Sequence, residues 1–272
     1  MIIQMGTNAF FVQSSIRLLA ATSWVSAFLF GLYILAFYFK NAYTGQMAEW
    51  NNILPGLYEA GGNTGNIGIG LHFATGGIIL ILGCVQLLDF IRRKYLPLHK
   101  AIGYVYITSS FLAAIGGLSF VLVRGTIGGT VMDIGFALYG ILMLVCSVNT
   151  VRYALGNNLP SHRAWAIRLF ALAIGSWLYR MDYGFWFLFA GKLGHTSEFS
   201  GWFDYFMDFW FYLPNLFLAE IFIRRNVLDQ IRNTWVTVFT SLVLLTASFF
   251  IVVGTYYFTL YYWGPAILTW FN

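Results

Sequence analysis

Charge is what this sequence has least of. Only 9% of its 272 residues are Asp, Glu, Lys or Arg, against about 25% in a soluble globular domain. A chain so poor in charge cannot turn a polar surface to water on every side. Cysteine is equally scarce: Cys84 and Cys146 are the two present, and both fall inside apolar runs. That excludes a disulfide framework and leaves them as small apolar residues. Neither HExxH nor a paired CxxC occurs. The stretch Gly61-Gly62-Asn63-Thr64-Gly65-Asn66, for all its glycine, follows no strand and has no Lys-Ser/Thr, so it is not a phosphate loop.

What the sequence has in abundance is apolar residues, 59% of the total, and aromatics, 20%. They come in runs of roughly twenty, enough for a helix to cross about 30 Å of hydrocarbon. The runs predict an all-α, polytopic transmembrane helix bundle of about seven spans, at 18–39, 70–91, 102–123, 131–153, 164–190, 200–222 and 234–258. This is one membrane domain, 1–272, with no sizeable soluble part. The first run is too long for a signal-peptide core and has no small-residue cleavage pattern, so it is expected to be a retained span. The stretch 261–271 is too short to cross and contains Gly264-Pro265, which places it at the interface or as a cap on the bundle.

Basic residues orient the map. With the N-terminus inside and the C-terminus outside, the inner ends carry Arg17, Arg92, Arg93, Lys94, Lys100, Arg152, Arg163, Arg168, Arg224, Arg225 and Arg232. The outer ends carry Lys40, Arg124 and Lys192, and Arg180 is left within the membrane. Eleven against three reads as a topology signal and as contacts to anionic lipid, not as a nucleic-acid surface. The longest loop, 40–69, is then outside. Its Gly and Asn content predicts a turn-rich lid.

Four histidines and a few intramembrane charges are the candidates for chemistry. His99 and His162 each stand two residues after a proline and just before an apolar helix, on the same inner face. Gly103 and Ala166 lie one turn beyond them. Two imidazoles at equal depth with small residues alongside suit a b-type haem; the bland alternative is helix capping or bonding to interfacial carbonyls. At the outer end, His72 precedes Gly76 and Gly77, and His195 is its only possible histidine partner. Arg180 follows His162 by five helical turns on one face. Asp133, Asp182, Asp204 and Asp208 sit in the outer halves of their spans, with Asp204 and Asp208 on a common face. They either pair Arg180 or join His72 and His195 as an outward-facing divalent metal site, with His195-x-x-Glu198 at helical ligand spacing. The aromatic sixth span contains Pro214, which predicts a kink. Its rings either line a quinone or lipid pocket or form an interfacial belt.

HFATGGIILILGCVQL, LHKAIGYVYI and HRAWAIRLFAL, followed by Arg180, resemble the bacterial predicted membrane protein family known as domain of unknown function 2306. The resemblance spans roughly His72 to Arg180. Its pattern maps onto His72, Gly76, Gln86, His99, Gly103, Tyr104, His162, Trp165 and Arg168. It implies a bacterial inner (plasma) membrane location but no established activity, and it does not include the aromatic sixth span.

The leading functional expectation is membrane electron transfer through b-type haem, held by His99 and His162, with His72 as a further ligand. Arg168 or Arg180 would pair a haem propionate or a quinone oxygen. The competing expectations are a cofactor-free accessory subunit packed in a larger membrane complex, and a proton- or ion-coupled transporter using Asp182, Asp204 and Asp208. Absence of a visible inverted repeat weighs against the last.

Overall fold

The computed structural model describes residues 7–224 and 234–270; Arg225, Arg232 and Phe271 lie outside them. The described residues form helices and connecting turns with no strand, as the apolar runs predict. α1 (Thr7–Ile34) passes through a π-helical turn, Leu35–Phe39, into α2 (Lys40–Tyr43). A 3-10 turn, Met47–Asn52, precedes α3 (Asn63–Gln86), α4 (Asp89–Lys94), α5 (Leu96–Arg124) and α6 (Gly129–Leu155). Four shorter helices follow: α7 (Leu159–Ala173), α8 (Gly175–Ala190), α9 (Trp202–Trp210) and α10 (Leu213–Arg224). α11 (Thr234–Phe258) continues through a second π turn, Thr259–Trp263, into α12 (Gly264–Leu268).

Six helical segments among the described residues are long and apolar enough to cross a membrane: Phe10–Tyr43, Asn63–Gln86, Leu96–Arg124, Gly129–Leu155, Trp202–Arg224 and Thr234–Leu268. The expected span at 164–190 is not one helix. It breaks at Ile174, whose ψ of −9° ends α7 before α8 begins, and neither half alone reaches the required length. Pro214 does interrupt the sixth span, as its missing N–H requires, and the break falls at Phe211 and Tyr212. The two interruptions meet, since a methyl group on Gly175 would lie 3.2 Å from the Phe211 ring and carbonyl oxygen.

Two expectations about irregular segments are corrected. The last apolar stretch is no separate cap: α12 extends α11, and Trp263 in the linking π turn is buried, stacked on Phe258 at 5.2 Å and beside Phe30 of α1. The Gly/Asn-rich stretch is turn only up to Gly62; from Asn63 it is the first turn of α3. Gly65 allows the Arg124 guanidinium to lie where a side chain would stand, since a methyl there would come within 2.9 Å of it. Asn66 bonds the Glu59 backbone on both sides, at 3.1 and 2.8 Å.

Small residues govern the helix crossings, as is usual where both surfaces are apolar. α3 and α5 approach at Gly68 and Gly116, where a methyl on either would come within 2.9 Å of the other's carbonyl oxygen. α1 meets α3 at Gly31 and Gly77 in the same way. α11 packs on α1 through the Thr255–Ser26 hydroxyl pair, at 2.6 Å, and turns Phe239 and Phe249 outward at 70% and 64% exposure. Those rings are surface for lipid.

Gly116→Ala is expected to destabilise the bundle by about 1–3 kcal/mol, the usual cost of overpacking, lowering the thermal midpoint in detergent. Gly76→Ala, where a methyl meets nothing within 4 Å, should leave it unchanged. Equal midpoints for the two variants would contradict the Gly68–Gly116 crossing.

Candidate functional site

Where α1, α3, α5, α6 and α8 diverge, they enclose a cavity of about 550 Å³. Its walls are mainly aromatic and aliphatic, with Tyr33, Phe73, Phe136, Tyr139 and Tyr179 among them. Leu54–Leu57 and Phe199 close over one end. That lid is tied down by Arg124, whose guanidinium donates to the carbonyls of Leu57 (3.0 Å) and Gly62 (3.2 Å) and to Asn66 Oδ1 (3.0 Å), and pairs Glu59 at 3.4 Å. Trp50, fully buried, donates to the Tyr38 carbonyl at 3.2 Å and anchors the other end of the lid.

Two of the singled-out residues face this cavity, His72 and Arg180. The imidazole of His72 places Nδ1 2.9 Å from the Ala113 carbonyl oxygen. A carbonyl only accepts, so Nδ1 carries the proton and Nε2 of the neutral ring keeps its lone pair. Gly117 makes this possible, because a methyl there would sit 3.0 Å from Nδ1. One turn along α3, Gly76 leaves open space. Arg180 lies within electrostatic reach of Tyr33, Tyr38 and Tyr179. Among the described residues it has neither an ion pair nor a hydrogen bond, and no aspartate pairs it.

The expected partners of Arg180 are otherwise placed. Asp204, fully buried, accepts from the Tyr183 hydroxyl (2.7 Å), His195 Nδ1 (2.7 Å), and the N–H groups of Thr196 (3.1 Å) and Gly201 (2.9 Å). The Gly201 contact caps the start of α9, and the Thr196 contact ties the preceding turn to it. Asp208, four residues on, is equally buried, yet neither carboxyl oxygen has a partner among the described residues. Its backbone lies against Gly135 of α6. Asp133 holds the α5–α6 turn by accepting from Thr126 N at 2.6 Å and its hydroxyl at 2.8 Å. Asp182 is half-buried on α8.

The proposed metal set is therefore divided: His72 faces the cavity while His195 pairs Asp204. Among the described residues no three of His, Cys, Asp and Glu gather as a metal-binding group. Glu198 is also out of register, because residues 191–201 are turns, with Phe199 at φ 55°, and not helix.

At the other end, His99 and His162 come close enough to influence one another electrostatically. His162 Nδ1 lies 2.9 Å from the Thr150 carbonyl, while His99 Nδ1 is buried without a partner among the described residues. Gln86 donates to the His99 carbonyl at 3.2 Å, and its amide covers Gly103, where a methyl would sit 3.2 Å away. Neither histidine lines the large cavity. Arg168 stacks on Trp165 at 4.6 Å and pairs Glu220, which also pairs Arg224 at 3.1 Å. It is thus engaged by protein.

Sequence reasoning missed Tyr179 and Tyr183. Their hydroxyls join each other at 3.4 Å and lead to Asp204. Their i, i+4 spacing beside an aspartate-bearing span was the available signal, but tyrosine is too common here to stand out.

Residues 69–223 match the family described as "Predicted membrane protein (DUF2306)", and the chain belongs to that family. The match extends past Arg180 and includes the aromatic sixth span. No curated protein and no solved structure shows a significant match to the chain.

The two neighbouring aspartates should respond differently to amidation. Asp204→Asn turns one of the two accepting oxygens into a donor, leaves two of the four donors facing it unpaired, and is expected to cost roughly 2–4 kcal/mol. Asp208→Asn removes no hydrogen bond and should change stability by less than about 1 kcal/mol. Thermal unfolding of both variants in detergent checks this; equal losses would mean that Asp208 has partners of comparable strength.

Proposed function

We propose that this integral membrane protein binds a quinone-class ligand in the cavity and takes part in electron transfer within the membrane. The single observation behind this is Arg180, a guanidinium facing an intramembrane cavity without a protein partner among the described residues. Such a charge is costly in the bilayer unless something compensates it. An apolar ring whose oxygen becomes anionic on reduction fits: Arg180 donates to that oxygen, the Nε2 lone pair of His72 accepts from a hydroxyl, and the aromatic walls hold the ring. In this reading the broken pair α7 and α8 crosses as one span. The basic residues then set the N-terminus inside, the lid outside, and the membrane as a bacterial plasma membrane.

A second reading adds a b-type haem at the inner end. His162 donating Nδ1–H to a backbone carbonyl leaves Nε2 directed elsewhere, the arrangement usual for a ligating histidine, and His99 stands beside it. The two readings are compatible, one end carrying the electron and the other the quinone. Arg168, already paired with Glu220, has no part in either.

Titration of the purified protein in nanodiscs with a short-chain benzoquinone, followed by tryptophan fluorescence, should show saturable binding. Arg180→Gln should weaken it by roughly ten- to a hundredfold, the worth of a charged hydrogen bond. Absence of saturation, or an unchanged Kd in the variant, sinks the cavity reading. For the haem, a reduced-minus-oxidised spectrum after haem-replete expression should show an α-band that His99→Ala or His162→Ala abolishes; a featureless spectrum would retire it.

A further inference from the structure

A chain of hydrogen bonds leaves the cavity and ends near the surface on the lid side. Tyr179 lines the cavity. Its hydroxyl donates to that of Tyr183 at 3.4 Å, Tyr183 donates to Asp204 Oδ1 at 2.7 Å, and His195 Nδ1 lies 2.7 Å from the same oxygen. Tyr183 and Asp204 are buried, whereas the His195 side chain retains 10% exposure. Every member is a proton donor or acceptor, and the sequence of groups contains no gap longer than the 3.4 Å first step.

We propose that Tyr179, Tyr183, Asp204 and His195 form a proton path between the cavity and the lid-side surface, serving the ligand bound there. The proposal rests on the quinone reading of the cavity. In the inward direction His195, whose Nδ1–H rests on Asp204, takes a proton from water at Nε2 and gives its Nδ1 proton to Asp204. Asp204 passes it to Tyr183 Oη as Tyr183 passes its own to Tyr179, and Tyr179 passes its own to the ligand oxygen. One proton enters, one leaves, both phenols end as they began, and the imidazole is left as its Nε2–H tautomer.

The surroundings favour such a route. Tyr183 is packed by the rings of Phe199 at 5.7 Å and Phe203 at 5.1 Å, which exclude water from the middle of the chain. The other ionisable groups facing it are Arg180, next to Tyr179, and Asp208 and Tyr212, from the neighbouring broken span. α6 brings up the Gly135 backbone, to which Tyr212 donates at 3.2 Å.

The test uses 2-hydroxy-1,4-naphthoquinone, whose colour reports its own ionisation, bound to the full-length protein in nanodiscs. After a stopped-flow jump to acid, protonation of the bound dye should be slower by at least about tenfold in Tyr183→Phe and in His195→Gln. Dye affinity should be unchanged, and Tyr212→Phe, which removes a buried hydroxyl outside the chain, should match the wild type. Thermal melts establish that each variant is folded; Tyr183→Phe removes one oxygen atom, and His195→Gln gives a second, independent break in the path. Equal protonation rates in all variants with dye bound would overturn the proposal and mean that protons arrive through the cavity mouth. Failure of the wild type to bind the dye would instead remove the quinone reading, and this proposal with it.

Discussion

The close crossing of α3 and α5 at Gly68 and Gly116 sets the dimensions of everything around it. Because the two backbones nearly touch there, His72 on α3 reaches the Ala113 carbonyl on α5, and Gly117 opposite it stays bare to admit the ring. The same proximity carries Arg124, at the end of α5, to the start of α3, where it gathers the carbonyls of the lid. Separating the helices by one methyl group would disturb the imidazole, the lid anchor and the cavity wall together.

The cavity also depends on two helices that do not run straight through. α7 and α8 are offset at Ile174, and α9 and α10 at Phe211 and Tyr212, and the offsets lie against each other at Gly175. Ala173, Ser176 and Phe211, from the two breaks, all line the cavity. Irregular backbone at membrane depth is tolerated where it is buried in protein or borders such a space. Around these breaks polar groups are divided sharply. Asp204 is surrounded by donors, while among the described residues Asp208 has no donor and Arg180 no acceptor. That contrast is what separates a structural carboxylate from groups left available to a ligand or a proton.

The apolar runs were enough to read the helical membrane bundle, and Pro214 was enough to place one break, because both follow from chemistry local in the chain. The break at Ile174 was not legible: Gly175 is one glycine among many in membrane helices, and what requires it is the Phe211 ring from another span. The helical start at Asn63 was hidden for a similar reason. Its glycines read as turn, but Gly65 answers to a guanidinium about sixty residues away. At the site, Arg180, His72 and the aspartates were all identifiable as polar groups within apolar runs. Their partners were not, since pairing Asp204 with His195, or leaving Arg180 without a partner among the described residues, is decided by the turn at 191–201 and by helix packing.

The helices differ greatly in length. Those at the centre, such as Asn63–Gln86 with 24 residues, extend about 36 Å, while Thr234–Leu268 with 35 and Phe10–Tyr43 with 34 extend about 50 Å. The long pair lie side by side at one edge, joined at their far ends by Lys40 donating to the Thr269 carbonyl. Both lengths exceed the roughly 30 Å of hydrocarbon, but along Thr234–Leu268 no charged residue interrupts the helix, so there the excess is all apolar. A helix of this kind is accommodated by tilting or by local thickening of the bilayer, and the fold concentrates that demand on the surrounding lipid at one edge.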